Sequence, residues 1–304
     1  MSNIGLGPLI SPHSVADFLK TEWPKEPFVV HGLSATVAPL TELPCLRSLD
    51  DLLNCWPKTV QVHLPDVRDE VSSIDATPAH ARKLFSNKMG LLFNQAQEIS
   101  PLLTSWLEAL RVDLGLPLST VARCLVYATP DGQGTTAHFD QNINFVLQLQ
   151  GTKRWSLAPN VSVENPTQRH TLHQPLDPEL ASYLDAEMPT SAPAATGTEM
   201  ILTPGSMLFV PRGYWHSTEA EGEALALNFT FSQPTWVDLL MLALRSRLTL
   251  SPAWRELADG VHSRDEITRI RANEKFDLLL QDLVHDLPNW RAEDILAATE
   301  GEVS

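Results

Sequence analysis

The spacing of apolar and polar residues changes twice along the chain. In the first third, apolar residues recur mainly at helical spacing. The spacing is clearest over residues 96–113, which contain Ile99, Leu102, Leu103, Trp106, Leu107 and Leu110. Shorter apolar runs between these segments alternate like strands. The pattern predicts helices over 12–23, 44–56, 78–88 and 96–113, and strands over 26–32, 59–64 and 90–94.

The middle of the chain is rich in short strand-like runs separated by Gly and Pro turns. The predicted strands are Val121–Thr129, Ile143–Gln150, Lys153–Ala158, Ser206–Val210 and Ala224–Phe231. Many short strands with such turns are typical of a sandwich or jelly roll. Residues 160–199 are polar and rich in Pro, Ala and Thr, which predicts a surface insertion.

The last part of the chain returns to helical spacing. Helices are predicted over 236–250, 252–260, 264–284 and 291–299. This tail is expected either to cover the core or to form a homodimer surface. The interpretation is a mainly β fold in three parts: an N-terminal helical and strand region completing a barrel (1–118), a jelly-roll core (119–235) and a C-terminal helical region (236–304).

Composition narrows the class of protein. The chain has 304 residues, 43% of them hydrophobic, and a formal net charge of −15. This charge argues against nucleic-acid binding, which needs Lys and Arg against phosphates, and is compatible with a basic partner. No run is long enough to span a membrane and no secretory signal is recognised at the start. The three cysteines lack CxxC spacing, and such an odd, sparse count suits a reducing compartment, so a cytoplasmic protein is expected.

The candidate chemistry centres on a metal site. His138 and Asp140 lie two residues apart, so an extended segment would direct both side chains to one face. His216 follows a strand-like run that ends at a turn and could reach the same ion from a neighbouring strand. Two imidazoles and one carboxylate are the facial set that binds non-haem Fe(II) with open positions for other ligands. His170 and His173 are interpreted as surface histidines.

Lys153 suggests an anionic ligand close to this metal. A turn at Gln150-Gly151-Thr152 is predicted to form a hairpin that carries Lys153 back towards His138. A Lys pointing into a barrel needs a partner, which an anionic cosubstrate would provide, whereas a solvated Lys on a strand is the alternative. Thr135 and Asn144 offer a hydroxyl and an amide for a carboxylate.

These residues match the motif of a known family. The run from Thr135 to Phe145 and the run from Gln150 to Trp155 resemble the Jumonji-C (JmjC) branch of the cupin superfamily, most of all protein hydroxylases such as the asparaginyl hydroxylase of hypoxia-inducible factor and bacterial cupin-like relatives. Residues 205–216 resemble the family segment that carries the distal His. Residues 226–229 resemble the strand after it, whose Asn, here Asn228, approaches the cosubstrate.

The resemblance implies a double-stranded β-helix and an Fe(II)/2-oxoglutarate-dependent dioxygenase. It implies that His138, Asp140 and His216 bind Fe(II). It also implies that Thr135, Asn144, Lys153 and Asn228 line the 2-oxoglutarate site, and that O₂ serves as oxidant. The expected reaction hydroxylates a protein or peptide side chain and decarboxylates 2-oxoglutarate to succinate. The alternatives are a hydroxylase of a small molecule or modified tRNA base, and a non-catalytic metal-binding cupin.

Overall fold

The computed structural model describes residues 4–21, 23, 25–64, 72–193 and 199–300. Part of the predicted insertion 160–199 therefore lies outside the described residues. The described chain forms two compact units, the first comprising Met1–Leu116 and Val121–Ser232 and the second Pro117–Thr120 and Gln233–Ser304. The further division of the first unit at residue 118 stays a prediction.

The elements alternate between short helices and strands in the first unit. The helices are α1 (Leu6–Ile10), α2 (Val15–Thr21), α3 (Ala38–Thr41), α4 (Leu49–Cys55), α5 (Pro78–Ser86), α6 (Pro101–Asp113), α7 (Pro178–Ala181), α8 (Trp236–Leu248), α9 (Glu266–Asp286) and α10 (Ala292–Glu300). The strands are β1 (Phe28–Val30), β2 (Val60–His63), β3 (Ser73–Ala76), β4 (Gly90–Asn94), β5 (Val121–Thr129), β6 (Gly134–Phe139), β7 (Ile143–Ala158), β8 (His170–Thr171), β9 (Met200–Leu202), β10 (Met207–Val210) and β11 (Trp215–Ser232).

The strands form one sheet in which the described pairs are antiparallel. Its main path runs β1-β10-β7-β11-β5-β4-β2-β3, with β6 beside β11 and β8, and β9 beside β7. The predicted β core with N-terminal helices and a C-terminal helical region is confirmed. Helices nevertheless make up 38% of the chain and strands 26%, so "mainly β" describes the core rather than the whole molecule.

The two longest strands, β7 and β11, pair with each other along nearly their whole length. The register runs from Ile143 opposite Phe231 to Ala158 opposite Trp215, with irregularities near residues 221–226. The predicted hairpin at residues 150–152 is therefore wrong, because β7 continues through it. Gly151 has φ 67 and a Cβ there would lie 2.1 Å from the backbone oxygen of Glu223, so glycine permits a local bend and not a chain reversal.

This bend shifts which residues of β7 face the barrel interior. Before it, Phe145 and Leu147 pack in the large core beside the N-terminal helices, and Val146 packs on the opposite side. After it, Trp155 and Leu157 share the side of Val146. A regular strand would have kept a strict period of two. The extra step at Gly151 thus places Lys153, two residues before Trp155 and on the same face of the strand, on the side of Val146.

The large core lies between the sheet and the N-terminal helices. Phe18 of α2 is buried, and its ring contacts Phe28, Phe145 and Phe209 at centroid distances of 5.3, 6.2 and 5.5 Å. Burying such a side chain contributes about 1.5–3 kcal/mol by the hydrophobic effect. These contacts hold the outer face of β7 and β10 and leave the inner face for the site.

The helix predicted over 96–113 is shorter in the structure, where α6 begins at Pro101. Ser100 is extended (φ −154, ψ 127), and its hydroxyl accepts a hydrogen bond from the backbone N–H of Leu102, capping α6. Residues Ala96–Ile99 form a separate 3-10 turn. The cap and Pro101 at the first helical position therefore set the start of α6.

The second unit consists of α8, α9 and α10 with short 3-10 turns. Thr235 caps α8 through a reciprocal capping box with Asp238. Arg247 forms an ion pair with Asp286, which also accepts a hydrogen bond from Trp290 at 2.8 Å. The helix predicted over 252–260 is wrong, since only the 3-10 turn Ala253–Arg255 forms there. Within the described ranges, the structure contains no helix long and apolar enough to cross a membrane.

Candidate metal centre

The central strands bring the three predicted metal ligands together. His138 on β6 is the register partner of His216 on β11, and Asp140 follows the end of β6. One ligand atom from each residue can be chosen so that all lie within 4.8 Å of one another. His216 Nε2 and Asp140 Oδ2 are 3.7 Å apart. Antiparallel pairing of two strand ends thus assembles one ligand set from residues far apart in sequence.

Backbone carbonyls fix the orientation of both imidazoles. Nδ1 of His138 donates to the carbonyl of Thr136 at 2.7 Å, and Nδ1 of His216 donates to the carbonyl of Tyr214 at 2.9 Å. A ring that donates from Nδ1 keeps Nε2 as the lone-pair nitrogen that a metal needs. The ring centroids are 4.1 Å apart. This arrangement fits a divalent metal ion.

The shifted pKa values of His216 and Asp140 favour the protonation states that coordinate a metal ion. Burial, reinforced by the neighbouring His138, lowers the pKa of His216 to about 4. Burial opposes ionisation of Asp140, but His138, His216 and Arg169 together outweigh it, so the pKa of Asp140 lies below its usual value. At neutral pH the site therefore presents a neutral His216 and a carboxylate, the forms that coordinate metal.

Asp140 is held by two further side chains. Arg169 Nε lies 3.1 Å from Asp140 Oδ1, and the amide of Asn144 donates to Oδ2 at 3.3 Å. Asn144 was predicted as a cosubstrate residue, whereas Arg169 was not predicted at all. Its place in a polar loop with no recognisable motif gave no sequence signal for this contact.

Lys153 lies in the barrel interior and is 5% exposed. Its Nζ donates to Thr129 Oγ1 at 2.9 Å and lies 6.0 Å from the ring centroid of Tyr127. Among the described residues, no carboxylate forms an ion pair with it. Burial lowers its pKa to about 8. A buried amine without a carboxylate partner among the described residues fits an anionic ligand such as a dicarboxylate.

Other polar atoms in the interior also lack protein partners. Asn144 Oδ1 accepts from Thr230 at 2.8 Å and from Asn228 Nδ2 at 3.3 Å. Within the described part of the chain, Asn228 Oδ1 and Trp155 Nε1 are buried without a hydrogen-bond partner. Buried polar groups normally find partners, so these two atoms are candidates to contact a polar ligand. Trp155 also stacks on His216, with ring centroids 5.8 Å apart.

The side chain of Thr135 forms a hydrogen bond with another residue of the protein, Thr218. Its hydroxyl lies 2.9 Å from that of Thr218, which also accepts from the backbone N–H of Thr135 at 3.1 Å. Its role at a cosubstrate carboxylate stays a prediction. The roles of Asn144, Lys153 and Asn228 likewise stay predictions, although Asn144 and Asn228 contact each other and Asn144 contacts the metal set.

The segment after β7 is closer to the site than the sequence indicated. Strand β8 pairs with β6, placing Thr171 opposite His138. His170 is buried, so the surface prediction for it is wrong: its ring packs near Phe139 and Trp215. His173 is exposed, as predicted. The predicted surface insertion also adds a small buried cluster, formed by Val163, Leu172 and Leu180 with Ala137, Phe139, Ala158 and Trp215.

The antiparallel barrel, the His-Asp-His set and the adjacent buried Lys define a metal-dependent oxygenase of the 2-oxoglutarate class. The sequence model described as the JmjC domain matches residues 108–239. The chain is also 34% identical over 301 residues to the uncharacterized protein YxbC of Bacillus subtilis, covering 97% of this chain and 91% of YxbC. The chain belongs to the JmjC family.

More distant relatives carry functional names. Ribosomal oxygenase 1 of Gallus gallus is 24% identical over 253 residues, covering 80% of this chain but 39% of its own length. This chain thus spans well under half of that relative. A solved structure of YcfD, described as a ribosomal oxygenase from Escherichia coli in complex with cobalt and 2-oxoglutarate, has a TM-score of 0.55 at 18% identity, covering 88% of this chain and 67% of YcfD. That likeness shows the shared fold.

Proposed function

We propose that the protein is an Fe(II)- and 2-oxoglutarate-dependent dioxygenase that hydroxylates a protein or peptide side chain. The proposal rests on two features of one barrel. The first is the oriented set His138, Asp140 and His216. The second is the buried Lys153, which forms no ion pair with a carboxylate among the described residues. A metal centre alone would not require a buried cation beside it. The relatives named as ribosomal oxygenases support a protein substrate.

In this proposal the metal ligands and Lys153 have separate roles. His138, Asp140 and His216 hold the metal, and the carbonyls of residues 136 and 214 keep both imidazoles in the coordinating tautomer. Lys153, protonated when an anion lies beside it, binds the distal carboxylate of 2-oxoglutarate. When bound, Fe(II) with 2-oxoglutarate supplies the oxidising power to insert one oxygen atom from O₂ into a C–H bond, releasing succinate and CO₂.

The chain's acidity supports a cationic region in the substrate. A net charge of −15 favours association with basic peptides and disfavours a polyanion such as tRNA. We therefore place a protein substrate ahead of a modified RNA base. A cytoplasmic location, consistent with the free Cys45, Cys55 and Cys124, belongs to the same proposal.

The predicted homodimer through the C-terminal helices is also retained as a proposal. In α9, Phe276, Leu280 and Val284 recur every fourth residue and are 53%, 40% and 63% exposed. A continuous apolar stripe of this kind is typical of a surface that pairs with another apolar helix. A second copy of the chain is the occupant that needs no other component.

Substrate trapping tests the function. The protein is immobilised with a non-reactive metal and a 2-oxoglutarate analogue, captured peptides are identified, and each is incubated with active protein, Fe(II), 2-oxoglutarate and O₂. A mass increase of one oxygen atom, matched by an equal amount of succinate, is expected. Succinate release with oxidation of only a small molecule or nucleoside would support those alternatives. Tight metal binding without any succinate would support a non-catalytic cupin.

A further inference from the structure

We propose that Arg169 is a positioning residue that fixes how Asp140 faces the metal. Its Nε lies 3.1 Å from Asp140 Oδ1, while the other oxygen, Oδ2, lies 3.7 Å from Nε2 of His216 and accepts from Asn144. The two carboxylate oxygens therefore have different neighbours. Oδ1 is held by the guanidinium, and Oδ2 is directed towards the imidazoles.

Arg169 is delivered by a segment that is fixed on both sides of it. On one side, Arg212 Nε donates to the carbonyl of Pro166 at 2.8 Å, and its Nη2 donates to the carbonyl of Asn165 at 3.1 Å. On the other side, β8 pairs with β6, and the N–H of Leu172 donates to the carbonyl of Ala137 at 2.9 Å. These anchors hold the backbone on both sides of Arg169 beside β6, from where its side chain reaches Asp140.

The consequence concerns the number of positions left on the metal. A carboxylate that binds through one oxygen completes a facial set of three protein ligands and leaves the other positions for cosubstrate and O₂. A carboxylate that binds through both oxygens removes one of them. By occupying Oδ1, Arg169 keeps Asp140 in the first mode. This inference rests on the proposed function, because it requires a metal at the site.

A guanidinium beside Asp140 can affect metal binding either by orienting the carboxylate or through its positive charge alone. Removing Arg169 changes the metal affinity in opposite directions in these two cases. A nearby positive charge repels a divalent cation, so removing it would tighten metal binding. Removing an orienting hydrogen bond from a metal ligand weakens metal binding, commonly by about 10–100-fold. The direction of the change in affinity therefore distinguishes positioning from simple charge.

The test is a Co(II) titration followed by visible absorption, which reports both affinity and coordination. The variants are Arg169→Met, Arg169→Lys and the control Arg154→Met. The guanidinium of Arg154 pairs with Glu199 and Glu221, which are not members of the metal set. We expect Arg169→Met to bind Co(II) about 10-fold more weakly or worse, with an altered spectrum. Arg169→Lys should lie between it and the wild type, and Arg154→Met should match the wild type.

Wild-type affinity and spectrum in Arg169→Met, or tighter binding, would overturn the positioning role. If Arg169→Met does not fold by circular dichroism, Arg169→Lys decides: a changed spectrum supports the role and an unchanged one overturns it. Failure of the wild-type protein to bind Co(II) at all would instead refute the proposed function, so the two failures are separable.

Discussion

The barrel and the C-terminal helical unit use apolar residues in opposite ways. All four residues of β10 are buried, and β11 buries every residue from Ala224 to Phe231. Helix α9 has 21 residues, and none of them is buried. The barrel therefore satisfies its hydrophobic pattern within the chain, whereas α9 leaves its apolar stripe exposed. The difference indicates that the buried strands hold the metal-ligand side chains in place, whereas the exposed apolar stripe of α9 is available to bind a partner.

The largest expected effect comes from breaking the ligand set in the barrel. Asp140→Ala or His216→Ala removes a donor that no other described residue of the site replaces, so metal content and turnover should fall by more than about 100-fold, beyond the usual effect of losing an outer partner. Metal analysis after dialysis and succinate formation measure this. The matched control is His173→Ala, an exposed imidazole in the neighbouring segment. Full metal loading of His216→Ala would refute the assignment.

The next largest effect is on stability. Phe229 of β11 is fully buried in the large core, so Phe229→Ala should lower the free energy of unfolding by about 3–5 kcal/mol. Urea unfolding followed by intrinsic fluorescence measures the change. A loss below about 1 kcal/mol would mean that the barrel core relaxes around the missing ring, contrary to the contrast drawn with α9.

Burial of Lys153 in the barrel should make the free energy of unfolding depend on pH. Its pKa in the folded, ligand-free protein is about 8, below the usual value near 10.4, so the unfolded chain binds more protons between these values. Stability should therefore rise with pH across that window, by up to about 3 kcal/mol, and this rise should be absent in Lys153→Met. Unfolding curves of both proteins at matched pH check the sign. An identical pH dependence in the two would show that the amine is not desolvated.

The same amine should govern cosubstrate binding. Because the protonated form pairs with a carboxylate, the affinity for 2-oxoglutarate should fall as pH rises above about 8 in the wild type. Lys153→Met should bind 2-oxoglutarate weakly at every pH while still binding metal. Isothermal titration with Co(II)-loaded protein measures both. Undiminished 2-oxoglutarate binding by Lys153→Met would remove Lys153 from the site.

The smallest expected effect on stability lies in α9. Phe276 is 53% exposed, so Phe276→Ala should change the free energy of unfolding by only about 0.5 kcal/mol at a concentration where the chain is monomeric. Phe276→Glu should shift the mass measured by light scattering towards the monomer if a second copy covers the stripe. A wild-type protein that is monomeric at all accessible concentrations would contradict the homodimer.

Local pattern was enough to predict several of the strands and to select His138 and Asp140 as candidate metal ligands. Strand β5 runs over the predicted residues 121–129, because its alternation and flanking turns are local signals. The spacing of His138 and Asp140 is likewise a property of one extended segment. His216 was predicted to join them from a neighbouring strand, and the JmjC resemblance implied the same set. Its actual position depends on the pairing of β6 with β11.

Features that depend on distant backbone contacts were missed. The bend of β7 at Gly151 depends on the approach of Glu223, and the sequence around it also fits a hairpin. The contact of Arg169 with Asp140 depends on anchors at Pro166 and Thr171, which no local pattern encodes. Burial of His170 follows from the same segment folding onto β6.

The central claim is that one barrel interior binds Fe(II) and 2-oxoglutarate together. Anaerobic titration of the protein with both measures this most directly, since chelation of Fe(II) by 2-oxoglutarate produces a visible charge-transfer band. The band should appear only when both are present and should be lost in His138→Ala and His216→Ala. A folded wild-type protein that gives no band with saturating Fe(II) and 2-oxoglutarate would contradict the account.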